Sequence, residues 1–245
     1  MSSSQEPGPG AARETPREVT LDEGRPIGRR VFLGTVGLGI TSLLWGQAAI
    51  DLLSKSTSAL PQGVRSAIPF GQGWRIYAVN PPFPTFDRAS WTFTIEGLVE
   101  KPITYTYDQL LALPAADQTT DFHCVTGWSV DDVVWKGVRL DDLLAEAKPL
   151  ASAKGMEFWS MEEEYVDTLT LDQAAMPDVM LAYEMYGQPI PREHGAPTRM
   201  VIPKMYGYKG TKWCNRIKLV DRIEDGYWEV RGYDRDAWVG DSNGL

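Results

Sequence analysis

The chain has 245 residues, 43% of them hydrophobic and 23% charged, with 24 basic against 33 acidic side chains and a net charge of −9. That composition belongs to a globular protein of one large domain or two small ones, not to a disordered or collagen-like chain. The acidic balance argues against a nucleic-acid partner, because phosphate backbones demand surplus Lys and Arg. Two cysteines, Cys124 and Cys214, and two histidines, His123 and His194, exclude a disulfide framework, a zinc ribbon, a four-cysteine iron–sulfur site and a three-histidine metal site. No CxxCH occurs, which excludes covalent c-type haem. A metal here must be sparsely ligated by the protein or arrive with a cofactor that carries most of its own ligands.

In chain order, residues 1–28 are Ser, Pro, Gly and mixed charge, and are expected to be a disordered leader that cannot bury a core. Arg29-Arg30 then opens twenty residues without a charge, 31–50. A paired Arg before a mildly apolar run resembles a twin-arginine export signal, while Gly34, Gly37 and Gly39 fit an ordinary buried helix poorly. Residues 29–53 are therefore expected to be a signal, or a retained apolar anchor helix, since about 20 apolar residues span a bilayer. A clean Ala-x-Ala cleavage site is missing near the end of the run. The protein is expected outside the cytoplasmic membrane, in the periplasm or on the outer face. Export of this kind carries folded cargo, which predicts a cofactor inserted beforehand.

Residues 54–73 read as a linker, 74–233 as one domain and 234–245 as a C-terminal tail. Trp91–Ile95 alternates like a strand. Thr106 followed by Gln109 predicts a capping box opening a short helix that ends near Pro114. Leu140–Ala147 reads as a second short helix, and Met156–Ser160, Val179–Glu184, Met200–Ile202 and Ile217–Val220 as strands. The class is α+β, strand-rich and broken often by Gly and Pro.

Two local features carry chemistry. In Asp121-Phe122-His123-Cys124-Val125-Thr126-Gly127-Trp128, a Cys follows an expected strand and precedes a glycine, placing a thiol at a strand end. Cys124 reads first as a buried structural residue, then as a metal ligand or a nucleophile with His123 or His194 as its base, and last as a disulfide partner of Cys214. The second feature is electrostatic. Residues 192–218 hold Arg192, Arg199, Lys204, Lys209, Lys212, Arg216 and Lys218 against Glu193 alone. A run of +6 inside an acidic chain predicts an anion site, or else a solvated basic face. Gly195, Gly207 and Gly210 interleave with these bases, and small residues let backbone amides approach an anion.

Cys124 in HCVTGWS, Trp135-Lys136-Gly137-Val138, Leu140–Leu144, the run from Leu181 through His194-Gly195-Ala196-Pro197-Thr198-Arg199, and Pro203 through Lys209-Gly210-Thr211-Lys212-Trp213 together resemble the molybdopterin-binding domain of the sulfite-oxidase family. Within it, the chain is most similar to exported bacterial members resembling the catalytic subunit of periplasmic methionine-sulfoxide reductase, and to sulfite oxidase-like oxidoreductases. The resemblance implies a strand-rich, mixed-sheet or barrel-like domain holding a molybdenum-molybdopterin cofactor. It implies Cys124 as the thiolate ligand of the metal and the catalytic residue. His194, Arg199 and Lys212, with Gly210 and Thr211, would hold the pterin phosphate, and Ser160, Tyr77 and Asn80 would contact the pterin.

The chain departs from the family at two places. Some relatives carry Arg and His where Val79 and Pro81 stand, and sulfite oxidases have basic residues just after the metal Cys, where this chain has Val125-Thr126-Gly127-Trp128. The mouth is therefore expected to be neutral and partly aromatic (Trp128, Tyr206, Tyr208), with Arg192 or Lys209 the sources of any charge. Such a mouth suits an S-oxide or N-oxide, reduced by two-electron oxygen-atom transfer with electrons from a membrane b-type cytochrome. Methionine sulfoxide is one such substrate. Sulfite-type oxidation of a small sulfur compound, a thiol hydrolase and a cofactor-less membrane-tethered binding module are the alternatives.

Overall fold

The computed structural model describes residues 71–243. The leader, the signal or anchor at 29–53, and residues 54–70 lie outside the described residues. Among the described residues no helix is long and apolar enough to cross a membrane.

Among the described residues, eleven strands form two sheets, accompanied by three short α-helices. The strands are β1 (Gly71–Gln72), β2 (Thr92–Gly97), β3 (Ile103–Thr106), β4 (Ala116–Cys124), β5 (Trp128–Arg139), β6 (Gly155–Ser160), β7 (Val166–Thr170), β8 (Met180–Met185), β9 (Gln188–Pro189), β10 (Arg199–Val201) and β11 (Cys214–Val220). The helices are α1 (Tyr107–Leu111), α2 (Leu140–Ala147) and α3 (Leu171–Ala174).

One sheet runs β3-β2-β11-β6-β7; the other runs β1-β5-β8-β10, with β4 also on β5 and β9 on β8. Neither sheet closes on itself, so the barrel-like expectation is corrected to two open mixed sheets. Parallel pairs occur twice, β2 with β11 and β1 with β5. The latter draws Gly71 and Gln72 of the expected linker into the second sheet.

Local sequence accounts for most of these elements. Phe93 and Ile95 of β2 point inward, as the alternation predicts. α1 has the expected capping box: Thr106 accepts from the Gln109 amide, and the Gln109 side chain answers the Thr106 amide. The same reciprocal bond between Thr170 and Gln173 opens α3. α2 buries Leu140, Leu143, Leu144 and Ala147, an i, i+3, i+4, i+7 stripe, with Asp141 and Asp142 in its first turn against the positive helix end. β8 buries five of its six residues, because β5 and β10 flank it and apolar groups cover both faces.

The main core gathers Phe93, Ile95, Leu110, Leu143, Met156, Phe158, Leu181 and Ile217; a second cluster forms around Trp135, Met180 and Met185. Each large apolar side chain sealed this way contributes about 1.5–3 kcal/mol. Gly137 sits at the register shift between β5 and β8, where a Cβ would lie 2.2 Å from the Leu181 carbonyl oxygen, so only glycine lets these strands approach. The last described stretch packs back onto the domain: Ala237 is fully buried and Trp238 bridges to Met205.

Candidate active site

A cleft opens where the two sheets' connections meet. Its walls come from the segment after β1, the end of β4, the β6–β7 loop, a 3-10 turn at Arg192–His194, the start of β10, the β10–β11 loop, and Trp228 with Tyr233. Six of the expected site residues line it: Tyr77, Cys124, His194, Arg199, Gly210 and Lys212.

At one end stands Cys124. It is the last residue of β4, and Gly127 closes the following turn by donating its amide to the Cys124 carbonyl at 3.0 Å. Gly127 has φ of +88°, a conformation that favours glycine. The thiol lies 3.2 Å from the Thr126 hydroxyl. Burial pushes the thiol pKa up; the Thr126 hydroxyl and amide, Arg75 and Trp128 all act the other way. Tyr77 is pushed up to about 12, first by burial and then by the Cys124 charge, so its phenol stays a hydrogen-bond donor. Both cysteines are free thiols, which sets aside the Cys124–Cys214 disulfide, and Cys214 is an inert core residue pushed up to about 12 by burial.

Three basic side chains, Arg199, His194 and Lys212, line the same cleft. Arg199 at the head of β10 is buried, donates to the His194 carbonyl at 3.0 Å, and packs against the Trp135 and Phe122 rings. Burial lowers it to about 10, so it stays charged at neutral pH. His194 is lowered to about 3, by burial and then by Arg199 and Lys212, and is therefore neutral. Lys212 is lowered to about 7 by burial and Arg199, against the pull of Glu162 and Glu193. Its ammonium donates to the Tyr77 carbonyl and to the Glu193 carbonyl, and lies 4.2 Å from the centroid of the Trp213 ring.

Three expected residues stand off the wall. Asn80 is exposed, and its amide donates to Glu162, which does line the cleft. Ser160 is buried and accepts from the Glu162 amide. Thr211 is buried behind Gly210 and Lys212.

The +6 run is not one cradle. Lys209 is fully buried between Asp167 at 2.5 Å and Glu229 at 2.6 Å, and cannot serve the cleft. Exposed Arg192 donates to the Phe83 and Pro84 carbonyls. Arg216 pairs with Glu96 and Lys218 with Glu157 on the sheet surface. The glycines also serve packing more than anion approach. Gly207 makes room for the Phe122 ring, and Gly195 abuts Lys212 at φ of +112°.

Sequence reasoning missed Arg75, Glu162 and Tyr233 on the cleft wall. Arg75 corrects the expectation of a neutral mouth, since it brings a buried guanidinium to the Cys124 end. Its position two residues before Tyr77 was the only available signal.

Fold and cleft define an oxidoreductase of the sulfite-oxidase type. The chain belongs to the oxidoreductase molybdopterin binding domain family, whose pattern it matches over residues 80–228. It is 36% identical over 154 residues to the oxidoreductase YuiH of Bacillus subtilis, covering 62% of this chain and 77% of that one. It is 32% and 34% identical to the protein-methionine-sulfoxide reductase catalytic subunits MsrP of Ralstonia nicotianae and Gluconobacter oxydans. Those matches cover 57% and 65% of this chain but 46% and 56% of the two relatives, so the chain spans about half their length. The sulfane dehydrogenase SoxCD of Paracoccus pantotrophus superposes with a TM-score of 0.53 at 25% identity, over 59% of this chain and 41% of that one.

The residues present suit a phosphate-bearing pterin. His194 Nε2, Arg199 Nε and Thr211 Oγ1 are buried without a hydrogen-bond partner among the described residues. Buried polar atoms nearly always have partners, so the two of these on residues that line the cleft, His194 and Arg199, point to a ligand. Among the described residues no group of three His, Cys, Asp or Glu side chains gathers, so the single thiol matches a metal whose other ligands come with the cofactor.

Proposed function

We propose that the chain is an exported molybdenum-cofactor enzyme that reduces an S-oxide, with methionine sulfoxide the first candidate. The observation that carries this reading is one cleft lined by both a thiol and a phosphate-type cradle. The MsrP relatives and the aromatic walls around Cys124 support the substrate class.

Arg199, His194 and Lys212, backed by Thr211 and Gly210, hold the phosphate. Cys124 contributes its thiolate to the metal. The cofactor supplies two-electron oxygen-atom exchange at the metal. Around it Trp74, Phe122 and Trp128 exclude water and hold the apolar substituents of the substrate, and Tyr77 offers a protonated hydroxyl. The overall change is S-oxide plus two electrons and two protons giving thioether and water. The S–O bond breaks and the oxygen leaves as water. A membrane b-type cytochrome supplies the electrons. The paired Arg29-Arg30 and the uncharged run that follows support export and attachment to the outer face of the membrane.

Protein purified from the envelope fraction should carry about one molybdenum per chain. Cys124→Ser should keep the pterin, change the metal's paramagnetic resonance signal and lower sulfoxide reduction by at least about 100-fold, as loss of a metal-tuning group does. Absence of molybdenum in protein matured by a host that makes the cofactor would overturn the reading and favour a cofactor-less binding module.

A further inference from the structure

The cleft has more than one source of positive charge. Arg199 and Lys212 bring it to the cradle, beside neutral His194. Arg75 lines the same cleft next to Trp128, the residue that pairs with Cys124 across the β4–β5 hairpin. Only 7% of Arg75 is exposed. Its Nη1 donates to the Gly73 carbonyl at 2.9 Å and its guanidinium sits 5.6 Å from the centroid of the Trp128 ring. β1 pairs with β5 at Trp128 and Ser129, so the segment carrying Arg75 and the ring beneath it are fixed by one piece of sheet. Burying a guanidinium is costly, and here the buried fork is pinned in place beside the reacting end. An arginine held that way is organised in advance to receive an oxygen atom bearing negative charge.

We infer that Arg75 is the substrate-reading residue of this cleft, its guanidinium receiving the oxygen of a dialkyl S-oxide while Trp128 and Phe122 hold the alkyl groups. This rests on the S-oxide reading above. The guanidinium keeps its protons throughout. It donates hydrogen bonds to an oxygen whose negative charge grows as the S–O bond lengthens, and the two electrons and two protons come from the reductant and from water. In this reading the phosphate is left to Arg199, His194 and Lys212, and Arg75 is left to the substrate.

The test uses the full-length holoenzyme with dithionite-reduced viologen as electron donor and dimethyl sulfoxide and methionine sulfoxide as substrates. Molybdenum and pterin content are measured on every preparation. Arg75→Met should load both to the wild-type level yet lose about 10- to 100-fold in kcat/KM, the effect of one charge-assisted hydrogen bond. Arg75→Lys should recover part of that loss. Inorganic sulfate, as a dead-end competitor, should inhibit wild type and lose inhibition by a similar factor in Arg75→Met. Unchanged kcat/KM in a fully loaded Arg75→Met enzyme would overturn the inference, as would activity lost in proportion to metal. A fully loaded wild-type enzyme that turns over neither sulfoxide would overturn the S-oxide reading itself.

Discussion

Lys209 and Lys212 lie three residues apart in one loop, and the fold treats them in opposite ways. Lys209 is sealed away from solvent with two carboxylates, Asp167 and Glu229, which hold its pKa above the ordinary value despite burial. Lys212 faces the cleft beside Arg199 and is held down to about 7. The first is a cation whose partners are already within the protein. The second is a cation kept short of compensation until something negative arrives. A buried charge is tolerated only when paired, so the contrast separates the structural lysine from the binding lysine without reference to sequence motifs.

The largest expected effect comes from removing the sealed cation. Lys209→Met leaves Asp167 and Glu229 facing each other in a dry interior and should destabilise the domain by about 3–5 kcal/mol in denaturant unfolding. Lys212→Met should move the unfolding free energy of cofactor-free protein by under about 1 kcal/mol, since the ammonium it removes is disfavoured there. It should weaken retention of the phosphate-bearing pterin by about 10- to 100-fold, read as pterin fluorescence remaining after dialysis. Equal losses of stability in the two variants would erase the distinction.

A subtler consequence is protonic. A bound phosphate favours the charged form of Lys212 and raises its pKa from about 7, so binding at pH 8 should take up a fraction of a proton. Calorimetry in two buffers of different ionisation enthalpy measures this, and Lys212→Met should abolish it.

A pH-dependent effect concerns the triad's spare negative charge. One ammonium serves two carboxylates, and burial, opposed by Lys209 and aided by Glu229, pushes Asp167 up to about 8. The folded pKa exceeds the unfolded one, so the folded state holds the extra proton, and this contribution is lost as pH rises toward 8. Asp167→Asn is neutral throughout and should gain on wild type between about pH 4 and pH 8, with no further gain above, in thermal unfolding across that range.

Much of this was legible in the sequence, and what escaped has a physical reason. β2, β6, β8 and α2 show because their burial is periodic or continuous and leaves a pattern of apolar residues. β4 and β5 form the longest hairpin among the described residues; a strand ending at Cys124 was expected, but not β5 or the pairing. β4 alternates between exposed and half-buried and reads ADQTTDFHC, so no apolar period marks it. The capping box at Thr170 escaped because the helix it opens is a single turn. In the cleft, Cys124, His194, Arg199, Gly210 and Lys212 sit in recognisable runs. Arg75, Glu162 and Tyr233 arrive from three unrelated segments, and only tertiary pairing brings them to one wall. The basic run misled for the same reason. Spacing along the chain could not reveal that Lys209 turns inward to Asp167 while Lys212 faces the cleft.

The parallel pairing of β11 with β2, Arg216 beside Thr94, joins positions 122 residues apart. Closing so long a loop costs entropy that nearby contacts cannot offset early, so this pairing forms late in folding. Gly210, Thr211 and Lys212 lie just ahead of β11, and Arg75 and Tyr77 lie in the segment between β1 and β2. The cleft therefore comes into being with the last long-range closure. A pterin that binds only the finished cleft stabilises the closed form by mass action, so the ligand acts as a clasp between two segments far apart in the chain. Protein made without it should open first at that seam.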